Sequence, residues 1–560
     1  MAKTVDLRRH TDNDGDVLTA QGVGAAVEIG RGLAGDYHLA VSTGAQRATQ
    51  ALACMLAGHG RGVPGGVVVE PGLRSGAEDR WRAIAGKASG GGLASFRAVD
   101  AEFVDEEARL LGLALRRVFD SLDDGEVALV VGHSPTNEAA VLGLTGRIID
   151  PLGKGEGVRV VSDGGFTISP LSDAPHTLKG PIVKSRFSSV HDHDSADPAY
   201  AADLKVALDT IVDDMQIPGA VVLIRSESKG DWSGTTGTRR LGTDEPVTID
   251  DHFRVGSNTK TMTGTVVLQL VEEGDIDLDD PVSQYRPEVP NGDNITLAML
   301  LEMRSGLSNF SADEGFNARL DNEPSHAWDP SELLAVAFAH EPSFDPGADF
   351  EYSNTNTVLL GLIIEQRTNL SLKEAFQQRI FDRLDLDHTL LPAPDDASIP
   401  SPHPRGYMFG TNVSTLADAA LPAAEQAAAA SGDLLPTDYT DSNPSWAGAA
   451  GGAISTAADL ARYVEALVDG GLLGPRLQEI RLASIKPAGS DPGAAGYGYG
   501  IAKFGPMIGH DGQLPGFNSF MGRDPDERNT VIVLTSLFAG ANGEQPANEM
   551  ARAIIAALYQ

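Results

Sequence analysis

Residues 173–200, DAPHTLKGPIVKSRFSSVHDHDSADPAY, scatter Pro, Ser and Asp with little apolar periodicity, and this break is what most limits the folds open to the chain. Such a stretch reads as a linker, partly docked on a domain surface. It divides the 560 residues into 1–172 and 201–560, each long enough for its own core. Charge divides at the same place. Residues 1–170 carry 17 Lys+Arg against 22 Asp+Glu, so −30 of the formal net charge of −35 falls on the rest. That acidic balance argues against nucleic acid or an anionic membrane surface as a general partner. Hydrophobic content of 41% and charged content of 22% exclude global disorder. One cysteine, Cys54, excludes an intramolecular disulfide and a cysteine-based zinc cage. The first twenty residues hold no apolar signal-peptide core, and no apolar run reaches the roughly 18 residues that span a bilayer. The expectation is a cytoplasmic protein with no membrane partner. His191 and His193 suggest a metal pair, but without Cys nearby a solvated linker is the preferred reading.

In the first unit, apolar residues recur at helical spacing over 19–33 and 106–119. Short β-rich runs fall at 66–70, 127–132 and 158–162. This alternation predicts an α/β/α sandwich around a largely parallel sheet, with chemistry at the carboxyl ends of its strands. Two histidines stand there, His10 after TVDLRR and His133 after VALVVG. The ordered pieces LRRHT at 7–11, LTAQG at 18–22, STGAQRATQA at 42–51 and VVGHSPTNEA at 130–139 resemble the histidine phosphatase (phosphoglycerate mutase-like) superfamily. The resemblance implies His10 as the phosphate-accepting nucleophile, with Arg9, Arg47 and His133 around the phosphate. Arginine forks suit that dianion, and a neutral imidazole can attack phosphorus. Thr11 stands where the family has Gly, and Ser75 follows Leu73-Arg74 where the family's acid commonly follows. Glu78 or Glu70 is then the candidate proton donor. A working phosphatase and a retained scaffold that senses phosphate ligands both stay open.

The second unit begins with an amphipathic helix at 202–215 and the strand IPGAVVLIR, and ends with the strand TVIVLTSL and a helix at 545–558. Strands at both ends around a helix-rich middle predict an α+β fold with one sheet drawn from both termini. Within FRVGSNTK, Ser257 and Lys260 form S-x-x-K at a helix start, where positions i and i+3 share a face. A serine hydroxyl needs an adjacent base, and a desolvated lysine supplies one. Alone, this pattern is common. In order after it come LLEMRSGL at 300–307, Tyr352-Ser353-Asn354, AGAAGGAISTAADL at 447–460 and GHDGQLPGF at 509–517. The set resembles the β-lactamase-like serine hydrolases: class C β-lactamases, D-alanyl-D-alanine carboxypeptidases, and related esterases, amidases and acyltransferases.

That resemblance implies Ser257 as the acylated nucleophile, Lys260 as its base and Tyr352 as a proton shuttle. Asn354 would hold Lys260 or the substrate amide. His510 and Gly512 match the K/H-x-G motif at the substrate edge, and the backbone N–H groups of Ser257 and Gln513 would form the oxyanion hole. Asp511 stands where the family often has Thr, which disfavours a substrate carboxylate. The expected activity is hydrolysis of an ester or amide of a small metabolite through an acyl-enzyme. Acyl transfer from the same site is the alternative, and a phosphorylated metabolite is a second partner if the first unit is active. Neither motif set calls for a cofactor or a metal, and no H-E-x-x-H spacing occurs.

Overall fold

The strand Val127–Gly132 shows why the first unit is layered. Its run VALVVG is apolar throughout, and it is buried on both faces. Ala128 and Val130 pack with Ala108, Leu111, Leu115 and Val141, from helices Ala101–Asp120 and Thr136–Thr145. Leu129 and Val131 pack on the other side with Ala26, Ile29, Leu52 and Met55, from helices Ala20–Gly32 and Gln46–His59. A strand apolar on both faces needs helices on both. The computed structural model describes residues 2–33, 37–88, 92–123, 125–149, 151–162, 165–171, 186–190, 196–488 and 495–559. They fall into two compact units, Met1–Thr177 and Leu178–Gln560. In the first, six strands run in the order Val67–Val69, Leu39–Ser42, Val127–Gly132, Lys3–Arg9, Gly157–Ser162 and Phe166–Pro170. The first four are mutually parallel, Gly157–Ser162 is antiparallel to Lys3–Arg9, and Phe166–Pro170 is antiparallel in turn to Gly157–Ser162. Arg9 stands in register with Gly132, so the next residues, His10 and His133, leave the sheet side by side.

The second unit is built on nine antiparallel strands. The strand Gly219–Ser226 lies between Asn529–Thr535 and Trp232–Gly237, so the chain's middle and its far end share the sheet. Beyond Asn529–Thr535 follow Phe517–Arg523 and Met507–Leu514. One face carries helices Ala201–Met215 and Pro546–Leu558, through Leu204, Leu208, Met550 and Ile554 against Val222 and Val533. On the other face helix Ala457–Asp469 packs on the sheet, with Leu460 in one core with Val221 and Leu534, and helices Thr259–Glu272 and Asn354–Thr368 join that core through Val266 and Leu359.

Part of the segment 173–200 is docked on the second unit. Ser188–Ser189 forms the outermost strand, paired with Gly234 and Thr235, and Phe187 is buried beside Trp232 with ring centroids 6.2 Å apart. A large apolar side chain with an aromatic neighbour available to cover it joins the fold. His191 and His193 lie outside the described residues. Among the described residues no helix is long and apolar enough to cross a membrane.

Candidate active site

The strand Phe253–Arg254 leads into a single 3₁₀ turn, Gly256–Asn258, and then into helix Thr259–Glu272. Gly256 has φ +53°, in the left-handed region, and a Cβ there would lie 2.6 Å from Gln513 N. The turn is pressed against strand Met507–Leu514, where a Cβ on Gly512 would lie 2.0 Å from Val255 O and 3.0 Å from Ser257 N. Glycine at 256 and 512 therefore lets two backbones meet at the nucleophile. Asn258 clamps them: its Nδ2 donates to Val255 O at 2.8 Å and to Ser519 Oγ at 2.7 Å.

Ser257 is half-buried, and Lys260, one helical turn on, is buried. Lys260 Nζ donates to Ser257 Oγ at 2.9 Å and to Ala450 O at 2.7 Å. Burial pushes the Lys260 amine down to about 7, with the Asp511 carboxylate opposing. Its Nζ also sits 4.8 Å over the Tyr352 ring. Burial raises the Tyr352 phenol well above its ordinary range, Tyr497 adds to this, and a hydrogen bond with Ser257 opposes it. Near neutral pH the lysine is thus ready to accept a proton while the tyrosine keeps its own.

Asn354 is not the group that holds Lys260. Its Nδ2 donates to Ser311 Oγ at 2.8 Å, and the Ala450 carbonyl takes the lysine instead. Sequence reasoning passed over Ala450 because a backbone acceptor leaves no side-chain signature, although it lies inside the AGAAGG segment. His510 is buried, its Nδ1 donating to Asp511 O at 2.6 Å and its Nε2 lying 3.2 Å from Tyr497 OH. The Asp511 carboxylate accepts from Asn548 Nδ2 at 2.8 Å, and Gln513 Nε2 donates to Phe538 O at 2.9 Å.

The first unit gathers a second group. His10 Nδ1 donates to Thr11 O at 2.6 Å, so its ring proton is on that nitrogen and Nε2 carries the lone pair. Burial pushes His10 down to about 4, as it does His133, whose next cause is the Arg47 charge. The rings of His10 and His133 stand 6.5 Å apart. A cavity of about 190 Å³ is lined by Arg47, Glu78, Trp81 and His133, among others. Arg47 pairs with Asp16 at 2.9 Å, and Arg9 Nη1 donates to Leu152 O at 2.7 Å. Among the described residues, both ring nitrogens of His133 and the Nε of Arg9 are buried without a hydrogen-bond partner. Burial pushes Glu78 up, but the hydrogen bond and charge of Arg74 outweigh it and hold the carboxyl low, which suits an acceptor better than a donor. Glu70 is tied to Arg117 at 2.8 Å. The carboxyl that burial does raise is Glu138, which accepts from Ser134 Oγ at 2.5 Å and from Leu152 N at 2.8 Å. It was present in VVGHSPTNEA, but only the fold shows it buried.

The family profile described as Beta-lactamase matches residues 207–557. The D-stereospecific amidohydrolase from Streptomyces sp. is 32% identical with a TM-score of 0.54, covering 64% of this chain and 98% of that one. The D-amino acid amidase from Ochrobactrum anthropi SV3 is 27% identical with a TM-score of 0.53, over 64% of this chain and 99% of that one. Protein flp of Staphylococcus aureus is 31% identical over 199 residues, which are 33% of this chain; the chain spans 38% of that relative's length. With Ser257, Lys260 and Tyr352 all inside the matched span, the chain belongs to the β-lactamase family of serine hydrolases.

Proposed function

We propose that residues 201–560 cleave an amide or ester of a small metabolite through an acyl-enzyme on Ser257. The observation that carries this is the 2.9 Å contact between Ser257 Oγ and a lysine amine that burial shifts to about 7. Lys260 takes the hydroxyl proton as Ser257 Oγ attacks the carbonyl carbon. The C–N or C–O bond then breaks, and the leaving group receives a proton through the Tyr352 phenol. Water attacks the acyl-serine, returns a proton through the same groups, and releases the acid. The backbone N–H groups of Ser257 and Gln513 are the oxyanion donors in this scheme, a role favoured by the close approach that Gly256 and Gly512 permit. D-amino-acid amides lead the substrate panel, because two of the similar solved structures are a D-stereospecific amidohydrolase and a D-amino acid amidase. A fluorophosphonate probe should label the wild type at Ser257 and leave Ser257→Ala unlabelled. An unlabelled wild type would refute the scheme.

A second reading concerns residues 1–172, as a phosphomonoesterase with His10 as nucleophile. It is favoured by the buried, unpartnered nitrogens of His133 and Arg9 beside His10, since polar atoms of that kind await a ligand. Arg9, Arg47 and His133 would hold the phosphate. Phosphate release from aryl phosphates should be lost in His10→Ala and kept in Ser257→Ala. An inert wild type that also fails to bind inorganic phosphate removes this reading.

A further inference from the structure

One buried phenol beside the reaction centre has no part in either scheme. Tyr497 is 5% exposed, and its hydroxyl lies 3.2 Å from His510 Nε2. Nδ1 of the same imidazole gives its proton to the Asp511 carbonyl at 2.6 Å. The ring is therefore tied through both nitrogens, and neither is left to exchange a proton with a substrate. Tyr352 stands against both partners of this pair. Its ring is perpendicular to Tyr497 with centroids 6.0 Å apart, and tilted on His510 at 6.2 Å. Tyr497 and His510 meet edge-on at 5.6 Å, and Phe350 closes on Tyr497 at 5.9 Å. The Lys260 ammonium position, 4.8 Å over the Tyr352 ring, completes the enclosure. A phenol that must reach Ser257 in a fixed direction is thus walled by a lysine, an imidazole and a second tyrosine. The hydrogen bond between Tyr497 OH and His510 Nε2 can be removed from that wall with little change of shape, by replacing the phenol with a phenyl ring.

We propose that Tyr497 is a positioning residue: by tying His510 it holds the Tyr352 phenol on line with Ser257 and Lys260. This rests on the acyl-serine reading. Tyr497 itself touches no reacting atom; it limits how far the imidazole wall, and with it Tyr352, can turn. Loss of the hydrogen bond should therefore lower kcat while leaving substrate binding nearly intact.

The test is a cycle of variants in the full chain, assayed with a D-amino-acid p-nitroanilide after active-site titration with a fluorophosphonate. Tyr497→Phe should lower kcat about tenfold with KM within twofold, while Tm falls by only a few degrees, so that the protein stays folded at the assay temperature. His510→Leu should lose at least as much. The double variant should be no worse than His510→Leu, because the second change removes a bond already broken. His510→Gln, which keeps a donor and an acceptor, should regain most of the loss. If Tyr497→Phe keeps the full kcat, or if the two losses multiply in the double variant, the positioning role is refuted. A wild type that takes up no probe instead refutes the acyl-serine reading on which it rests.

Discussion

In the proposed scheme Lys260 and Tyr352 divide the proton work at Ser257, because burial shifts the two groups in opposite senses. Desolvation disfavours an ammonium and a phenolate alike, so it lowers the lysine to about 7 and raises the tyrosine. The sign of the pH response follows. Below about 7 the Lys260 amine is protonated and cannot accept the serine proton, so kcat/KM should rise close to tenfold per pH unit and level off above about 7. A pH profile flat between 5 and 8 would contradict Lys260 as the base. Lys260→Ala should cost roughly 10²–10⁴ in kcat, the usual range for a general base. These three residues were legible in the sequence because S-x-x-K at a helix start, followed by Tyr-Ser-Asn, fixes their spacing along the chain. The Ala450 carbonyl and the Tyr497 hydroxyl were not, since each reaches the site from a distant segment and only packing brings it there.

At the level of elements, the site is a seam between one turn and one strand. Gly512→Ala would place a methyl 2.0 Å from Val255 O and 2.6 Å from Ser519 Oγ, so the strand must withdraw from Ser257. The expected result is a loss of at least about 10² in kcat with unchanged far-UV circular dichroism, consistent with a lost oxyanion donor. Asn258→Ala breaks two buried hydrogen bonds, one within the turn to Val255 and one to Ser519 on strand Phe517–Arg523. Urea unfolding should show it less stable by about 1–3 kcal/mol. The alternating segments of the first unit were readable from periodicity alone, and Val127–Gly132 falls where the apolar run lies. The edge strand Ser188–Ser189 was hidden, because two serines carry no β signal of their own and owe their place to Phe187 and the open edge at Gly234.

For the whole molecule, the response to acid follows in part from the two buried histidines of the first unit. His10 and His133 are held near 4 against an ordinary 6.5, so folding favours their neutral forms. Their contribution is complete above about 6.5 and is lost as pH falls toward 4, because the unfolded chain then binds protons that the folded unit resists. Calorimetric unfolding should show the first unit's transition moving to lower temperature over that window. His10→Asn and His133→Asn should each flatten the trend, whereas a trend as steep as the wild type's in both variants would contradict its cause. The seam at Ser257 has a consequence in time as well as in space. The turn at 256–258 emerges from a ribosome some 250 residues before the strand that gives it shape, since Asn258 bonds to Ser519. A chain interrupted before that strand carries the serine and the lysine but no surface to fix them. Synthesis thus completes the surroundings of Ser257 only when the sheet beside it has been made.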